Sequence, residues 1–292
     1  MWVKRELIAA ALTFALCGAA RAESCGPRTL GVSRTIAVGA PAHLGLKTYP
    51  QTLDLKDHEV VLTFDDGPAP TTRRVLEALE AQCARATFFL IGRNAAAMPQ
   101  IVRREIADGD TVGSHSNTHS MLRSLPFDKA TADIDAGAAA VDKASSGNAS
   151  KFFRFPGFAD SPALLAALDQ RKMPVFGADL WASDWNVMTP KEELELLMGR
   201  LRRAKSGIVL LHDTKKQTAE MLPAFLAELK AEGFQLVQIV PGDAPPSQKQ
   251  APAGWKSETE ATLKKMGIRG PKTASPKVGL PLQEQKDPAP RM

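Results

Sequence analysis

The stretch that decides the fold is VVLTFDDGPAP, residues 60–70. Val60 to Phe64 form an apolar, partly β-branched run that reads as a strand, and Gly67-Pro68 reads as the turn that ends it. Asp65 and Asp66 therefore leave the C-terminal edge of a strand. Adjacent residues there point in different directions, so the two carboxylates need not share one task.

The same grammar repeats outward from this point. Strand-like runs appear at VVLTF (60–64), ATFFLI (86–91), TVGSH (111–115), KFFRF (151–155), PVFGA (174–178), GIVLLH (207–212) and FQLVQIV (234–240). Helical patterns fall between them. TTRRVLEALEAQCA places Val75, Leu76, Leu79 and Cys83 on one face, and TPKEELELLMGRLRRA opens on Thr189-Pro190, with Glu192 and Glu193 in its first turn, and closes on Arg202 and Arg203. Sustained strand-helix alternation predicts an α/β fold with a mainly parallel sheet.

Asp65, Asp66, His115, Arg154 and His212 all fall at or just past the C-terminal ends of different strands. A (β/α) barrel gathers its site on that one face, whereas a doubly wound sheet concentrates it at a single switch point. The expectation is a distorted, TIM-barrel-like (β/α)7-type barrel over residues 58–241. No GxGxxG follows the first strand and no GxxxxGK[ST] occurs, so nucleotide binding has no support.

The ends of the chain read differently. Residues 1–22 carry Lys4 and Arg5, an apolar stretch and Ala20-Arg21-Ala22, the pattern of a signal peptide cleaved before Glu23. The apolar stretch is short for a transmembrane helix, which needs about 20 residues, so no membrane span is expected after signal cleavage. An exported chain, periplasmic or secreted, is the expectation. Residues 23–57 lack clear periodicity and read as an N-terminal arm. Residues 242–292 are rich in Pro, Lys, Gln and Ser and read as a disordered tail, apart from a short helix around Ser257 to Lys265.

The formal charge of +5 lies largely in the terminal segments, for example at Lys264, Lys265, Arg269, Lys272 and Lys277. Such runs read as solvated chain, not as a nucleic-acid surface, although a basic tail could touch anionic cell-wall polymer. Cys25 and Cys83 are either a disulfide, as an oxidising compartment allows, or two separate thiols.

Among five histidines, His115 and His119 lie four apart in HSNTH. Two imidazoles and a carboxylate can hold one divalent ion with coordination positions left open, the arrangement of catalytic metal sites. An HxxxH alone is weak, and either aspartate of DDGP alone reads as an ordinary turn or helix cap. Together they supply ligands and a base. His212 ends a run apolar enough to be buried on both faces, where histidine is either a satisfied core residue or a general acid at the rim. Arg154 precedes Pro156 and Gly157, where a turn can free the Gly157 N–H to face an oxyanion. Trp181 and Trp185 flank Asp184; indoles there suit sugar faces or the rim of the core.

TFDDGP, HSNTH, RFPG, SDW and LLHD occur in the order found in the NodB-homology polysaccharide deacetylases, carbohydrate esterase family 4, which the chain resembles from about residue 58 to 241. The resemblance implies hydrolysis of N-acetyl groups on an amino-sugar glycan, of chitooligosaccharide or peptidoglycan type, aided by zinc or a similar divalent ion such as cobalt. It implies Asp65 as base, Asp66, His115 and His119 as metal ligands, and His212 as the acid that protonates the leaving amine. Arg154 would orient Asp65, Asp184 would set the charge state of His212, Gly157 would stabilise the oxyanion, and Leu210 and Trp185 would receive the acetyl methyl. Trp181 stands where the family often has an acid, which bears on the cleft and not on the metal. Hydrolysis of another non-peptide amide, or glycan binding without turnover, are the competing readings.

Overall fold

The structure is a computed structural model and describes residues 25–268. The stretch 1–22, expected to be a signal peptide, and the chain from 269 lie outside the described residues. Strands β1 (Arg34–Val38), β2 (His43–Leu44) and β3 (Gln51–Leu53) precede β4 (Glu59–Asp65), which contains the opening stretch. There follow β5 (Thr87–Leu90), β6 (Thr111–Ser114), β7 (Val175–Phe176), β8 (Leu180–Trp181), β9 (Gly207–His212), β10 (Gln235–Pro241) and β11 (Gln248–Gln250). The helices are α1 (Thr72–Ala81), α2 (Gly92–Ala97), α3 (Pro99–Asp108), α4 (Phe127–Ala144), α5 (Pro162–Gln170), α6 (Pro190–Ala204), α7 (Lys216–Ala231) and α8 (Glu258–Lys265).

β4 is the hub. One edge pairs with β9 from Val60↔Gly207 to Asp65↔His212, which brings two chemically active strand ends side by side. The other edge meets β5 near the C-terminal end and β10 near the N-terminal end. β6 extends the sheet beyond β5, β8 flanks β9, and all these pairs are parallel. Single bridges at Phe153 link Ser114 to Val175 in β7, and residues 177–179 lead from β7 into β8. The result is a distorted (β/α) barrel.

Val60, Leu62 and Phe64 point outward and pack with Val75, Leu76 and Leu79 of α1 and Leu222 and Phe225 of α7. Val61 faces the opposite way, with Phe89, Phe152, Phe176 and Ile208. That two-residue alternation places Thr63 and Asp65 on the Val61 side, inside the barrel. Every residue of β4, β5 and β6 is buried, as parallel strands covered on both faces require. α6 starts as its sequence suggests, with a reciprocal capping box between Thr189 and Glu192.

Three expectations need revision. KFFRF forms no continuous strand: Phe153 makes only isolated bridges, because Phe155 leads straight into a 3-10 turn at Pro156–Phe158. Residues 23–57 are more than an arm, since β1 pairs with β10 over its whole length and β2 with β7. Its two-residue alternation is too short to stand out from the sequence. Residues 242–268 are not a disordered tail. β11 pairs antiparallel with β3, Trp255 Nε1 donates to the Leu46 carbonyl at 2.7 Å, and Leu263 is buried. A few anchoring side chains outweigh the polar average of the segment. The short helix is present as α8, capped by Ser257. Cys25 and Cys83 are joined by a disulfide with Cα atoms 5.7 Å apart. Among the described residues no helix is long and apolar enough to cross a membrane.

Candidate active site

β4 ends inside the barrel with Asp65, 2% exposed. Asp66 follows at φ 74°, a left-handed conformation that Asp tolerates better than most residues, and this swings its carboxylate away from that of Asp65. Gly67 is required next, because a Cβ there would lie 2.2 Å from Asp213 Oδ2. The divergence expected of the acid pair is thus built into the backbone.

Arg154 is fully buried and each nitrogen of its guanidinium finds an acceptor. Nη1 donates to Asp65 Oδ1 at 2.7 Å and to Thr63 Oγ1 at 2.8 Å, Nη2 to the Gly177 carbonyl at 2.7 Å, and Nε to the Phe176 carbonyl at 3.2 Å. The plane lies over the Phe89 ring at 4.2 Å. A planar fork with five donors fits such a site, and an ammonium does not. One Asp65 oxygen is thereby fixed.

Asp66, His115 and His119 place their ligand atoms within 4.8 Å of one another. His119 Nε2 lies 3.1 Å and His115 Nε2 3.6 Å from Asp66 Oδ1, an oxygen that is buried and accepts no well-directed hydrogen bond. Two ligands about 2.1 Å from one tetrahedral ion stand roughly 3.4 Å apart, so these spacings fit a single divalent cation. His115 Nδ1 donates to the Arg154 carbonyl at 2.8 Å, which leaves the Nε2 lone pair for the cation. Burial depresses the His115 pKa and keeps the imidazole neutral. Burial works against the Asp66 charge, but the contact with His119 and the charge of His212 hold its carboxyl far below the usual range. Both are in the protonation state a ligand needs.

His212 closes β9 directly opposite Asp65 in the ladder. Its Nδ1 donates to Asp184 Oδ1 at 2.7 Å, and its backbone N–H donates to Asp184 Oδ2 at 2.7 Å. Nε2 is thus turned towards the acid pair, 3.9 Å from Asp66 Oδ2. Burial alone would lower the His212 pKa. The hydrogen bond and charge of Asp184, with the charges of Asp65 and Asp66, push it up to about 9. Thr218 Oγ1, 2.9 Å from both Asp184 Oδ2 and Glu193 Oε1, steadies Asp184 from behind.

A cavity of ≈ 380 Å³ is lined by Asp65, Asp66, His115, His119, Gly157, Trp181, Trp185, Leu210 and His212. Every site residue read from the sequence lines it except Arg154 and Asp184, which stand directly behind Asp65 and His212. Gly157 has φ +56°, and a Cβ there would meet Met121 at 2.8 Å. Trp185 is 47% exposed and sets its ring edge-on to His212. Trp181 stacks near Phe158, with ring centroids 6.3 Å apart, so it narrows the cleft at that end. Sequence reading missed Met121, Phe155 and Phe158, and also Thr259, Thr262, Leu263 and Met266 around α8. The last four recur at i, i+3, i+4 and i+7, the one signal that could have flagged them.

A family model described as "Polysaccharide deacetylase" matches residues 52–176. The chain is 30% identical to a peptidoglycan-N-acetylglucosamine deacetylase of Bacillus cereus, over 65% of this chain and 72% of that one. It is 32% identical to a bifunctional xylanase/deacetylase of Pseudobutyrivibrio xylanivorans, over 70% of this chain but only 33% of that protein's length. Among solved structures it resembles a Bdellovibrio bacteriovorus peptidoglycan deacetylase with TM-score 0.62 and 31% identity, covering 72% of this chain and 61% of that one. The chain therefore spans well under two thirds of some relatives it matches. Motif order, barrel, strand-end geometry and these likenesses converge: the chain belongs to the polysaccharide deacetylase family.

Proposed function

We propose that this protein is an exported, metal-dependent N-deacetylase of an amino-sugar glycan of the chitooligosaccharide or peptidoglycan type. The observation that carries the reading is the convergence, around one cavity, of a fixed carboxylate, a three-ligand cation site and a histidine held protonated. A binding protein has no use for a base placed beside a cation site.

The chemistry follows from the placement of each group. A divalent cation, zinc or a similar ion such as cobalt, when held by Asp66, His115 and His119, supplies positive charge beside the acetamide carbonyl and acidifies water towards neutrality. Asp65, with one oxygen fixed by Arg154, takes a proton from the attacking water as its oxygen bonds to the carbonyl carbon. The Gly157 N–H faces the resulting oxyanion. His212, charged because Asp184 stands behind it, delivers its proton to the sugar nitrogen as the C–N bond breaks, giving acetate and a free amine. Leu210 and Trp185 give the acetyl methyl an apolar wall.

Export rests on the N-terminal 22 residues and agrees with a Cys25–Cys83 disulfide. The basic C-terminal end is proposed to touch cell-wall polymer. Acetate release across chitin oligomers, peptidoglycan and xylan tests the activity: full turnover after chelation, or from Asp65→Asn, sinks it, and release of a different acyl group redirects it.

A further inference from the structure

Resting on the deacetylase reading above, we infer that α8 is the end wall of the substrate cleft, and that Leu263 and Met266 set how far a glycan extends past the reacting sugar. The substrate class is then short oligosaccharides and chain ends, not the interior of long polymers.

The cavity that contains the catalytic groups is completed by Thr259, Thr262, Leu263 and Met266. Their spacing puts all four on one face of a helical turn, so α8 presents a continuous stripe to the cleft. Leu263 is 2% exposed and anchors the stripe, while Met266, 60% exposed, and Trp185, 47% exposed, both line the same cavity. Exposed thioether and indole groups beside a polar reaction centre suit the C–H faces of a sugar. Where α8 begins, Phe158 and Trp181 approach each other from the two sides of the cleft with near-parallel rings. Glu258 sits with Lys47 and Trp181 on one flank, and Thr259 with Phe158 on the other. An internal stretch of polymer needs both ends of a groove open, and a wall of Phe158, Trp181 and α8 would close one.

The wall is tied down by named contacts. Glu258 pairs with Lys47, whose ammonium lies 5.2 Å from the centre of the Trp181 ring. Glu260 Oε2 is 2.7 Å from Arg123 Nη1, and the Thr259 N–H donates to the Lys47 carbonyl at 3.1 Å. This segment lies beyond residues 52–176, the part that matches the family model.

The test compares hexameric with dimeric N-acetylglucosamine as substrate for wild type, for Met266→Ala, which trims the wall, and for the double variant Glu258→Gln/Glu260→Gln, which loosens it without touching the buried face. Wild type is expected to favour the dimer. In both variants the hexamer-to-dimer ratio of acetate release rises on the order of tenfold, the scale set by a few methylenes in an apolar pocket. Quenching of indole fluorescence in an Asp65→Asn background gives the same ratio as dissociation constants, with no turnover needed. Unchanged ratios in both variants by both readouts overturn the wall, as does a wild type that prefers the hexamer. A protein that releases no acetate from any N-acetylated sugar with divalent metal present refutes the deacetylase reading instead, and the binding ratios still decide the wall.

Discussion

Replacing Asp184 by Asn should move the alkaline limb of the pH–rate profile. His212 must carry a proton to act as an acid, and its pKa stands at about 9 against an ordinary 6.5. Burial opposes the rise, and the hydrogen bond and charge of Asp184 rank ahead of the charges of Asp65 and Asp66 in producing it. At ~1.4 kcal/mol per pH unit the preference for the protonated form is worth about 3 kcal/mol in the folded state. His212 is only 13% exposed, so solvent screening removes little of this. A cation on Asp66 would offset part of the carboxylate charge that His212 feels, so wild-type kcat/KM for acetate release should fall between the ordinary histidine value of ~6.5 and about 9, while Asp184→Asn should bring the fall to around or below ~6.5. Melting offers a check that needs no substrate. Because the folded value lies above the unfolded one, the stabilisation is complete below the unfolded pKa and is lost as pH climbs through about 9. Wild type should lose Tm across that window and Asp184→Asn should not. An alkaline limb at the same pH in both proteins, with residual activity high enough to measure, refutes the reasoning.

Arg154→Lys leaves Asp65 and two carbonyls short of donors in a fully buried setting and should cost roughly 3–5 kcal/mol in chemical denaturation, with activity lost in parallel. Gly157→Ala imposes φ +56° on an L-residue and crowds Met121, so a loss of about 1–2 kcal/mol is expected by the same measurement, partly relieved by adding Met121→Ala. Cys25→Ser opens a link between residues 58 apart, and denaturation should show a loss of about 4 kcal/mol relative to the oxidised parent. Glu105 is buried with neither carboxylate oxygen hydrogen-bonded, and burial raises its pKa well above normal. A raised acid destabilises as pH rises past its unfolded value of ~4.3, so Glu105→Gln should melt higher than wild type at pH 8 and no higher at pH 4.

The parallel strands and their catalytic ends were legible because burial on both faces leaves unbroken apolar runs and the polar residue that stops each run marks its end. GIVLLH gave β9 and His212 outright. Contacts made across the barrel were not legible. Nothing local in KFFRF says that Arg154 will donate to carbonyls at Phe176 and Gly177, since those partners are set by tertiary closure. Thr218 and Glu193 behind Asp184 escaped for the same reason. The region from 242 misled in a different way. Its composition is that of a solvated chain, yet Trp255 and Leu263 at the right places suffice to seat it, and an average over the segment hides two such residues.

Part of the backbone strain in this fold falls around the site, and the rest at His58, Cys83, Ser146, Lys172 and Lys205. Left-handed φ values at Asp66, Ser116, His119, Phe158 and Ser183 fall in the loops that follow β4 and β6, in the Pro156–Phe158 turn, and beside Asp184. Each such residue costs of order 1–3 kcal/mol and persists only where its surroundings fix it. Here the surroundings are the fully buried β4 and the β9 strand buried up to His212, whose aligned ends put Asp65 and His212 in register. Strain and function meet most directly at Asp66. An extended residue there would carry its carboxylate along the path of the strand; the left-handed turn instead delivers it to His115 and His119. The rigid ladder sets the base and the acid, and the strained loops beside it bring the cation ligands to the same cavity.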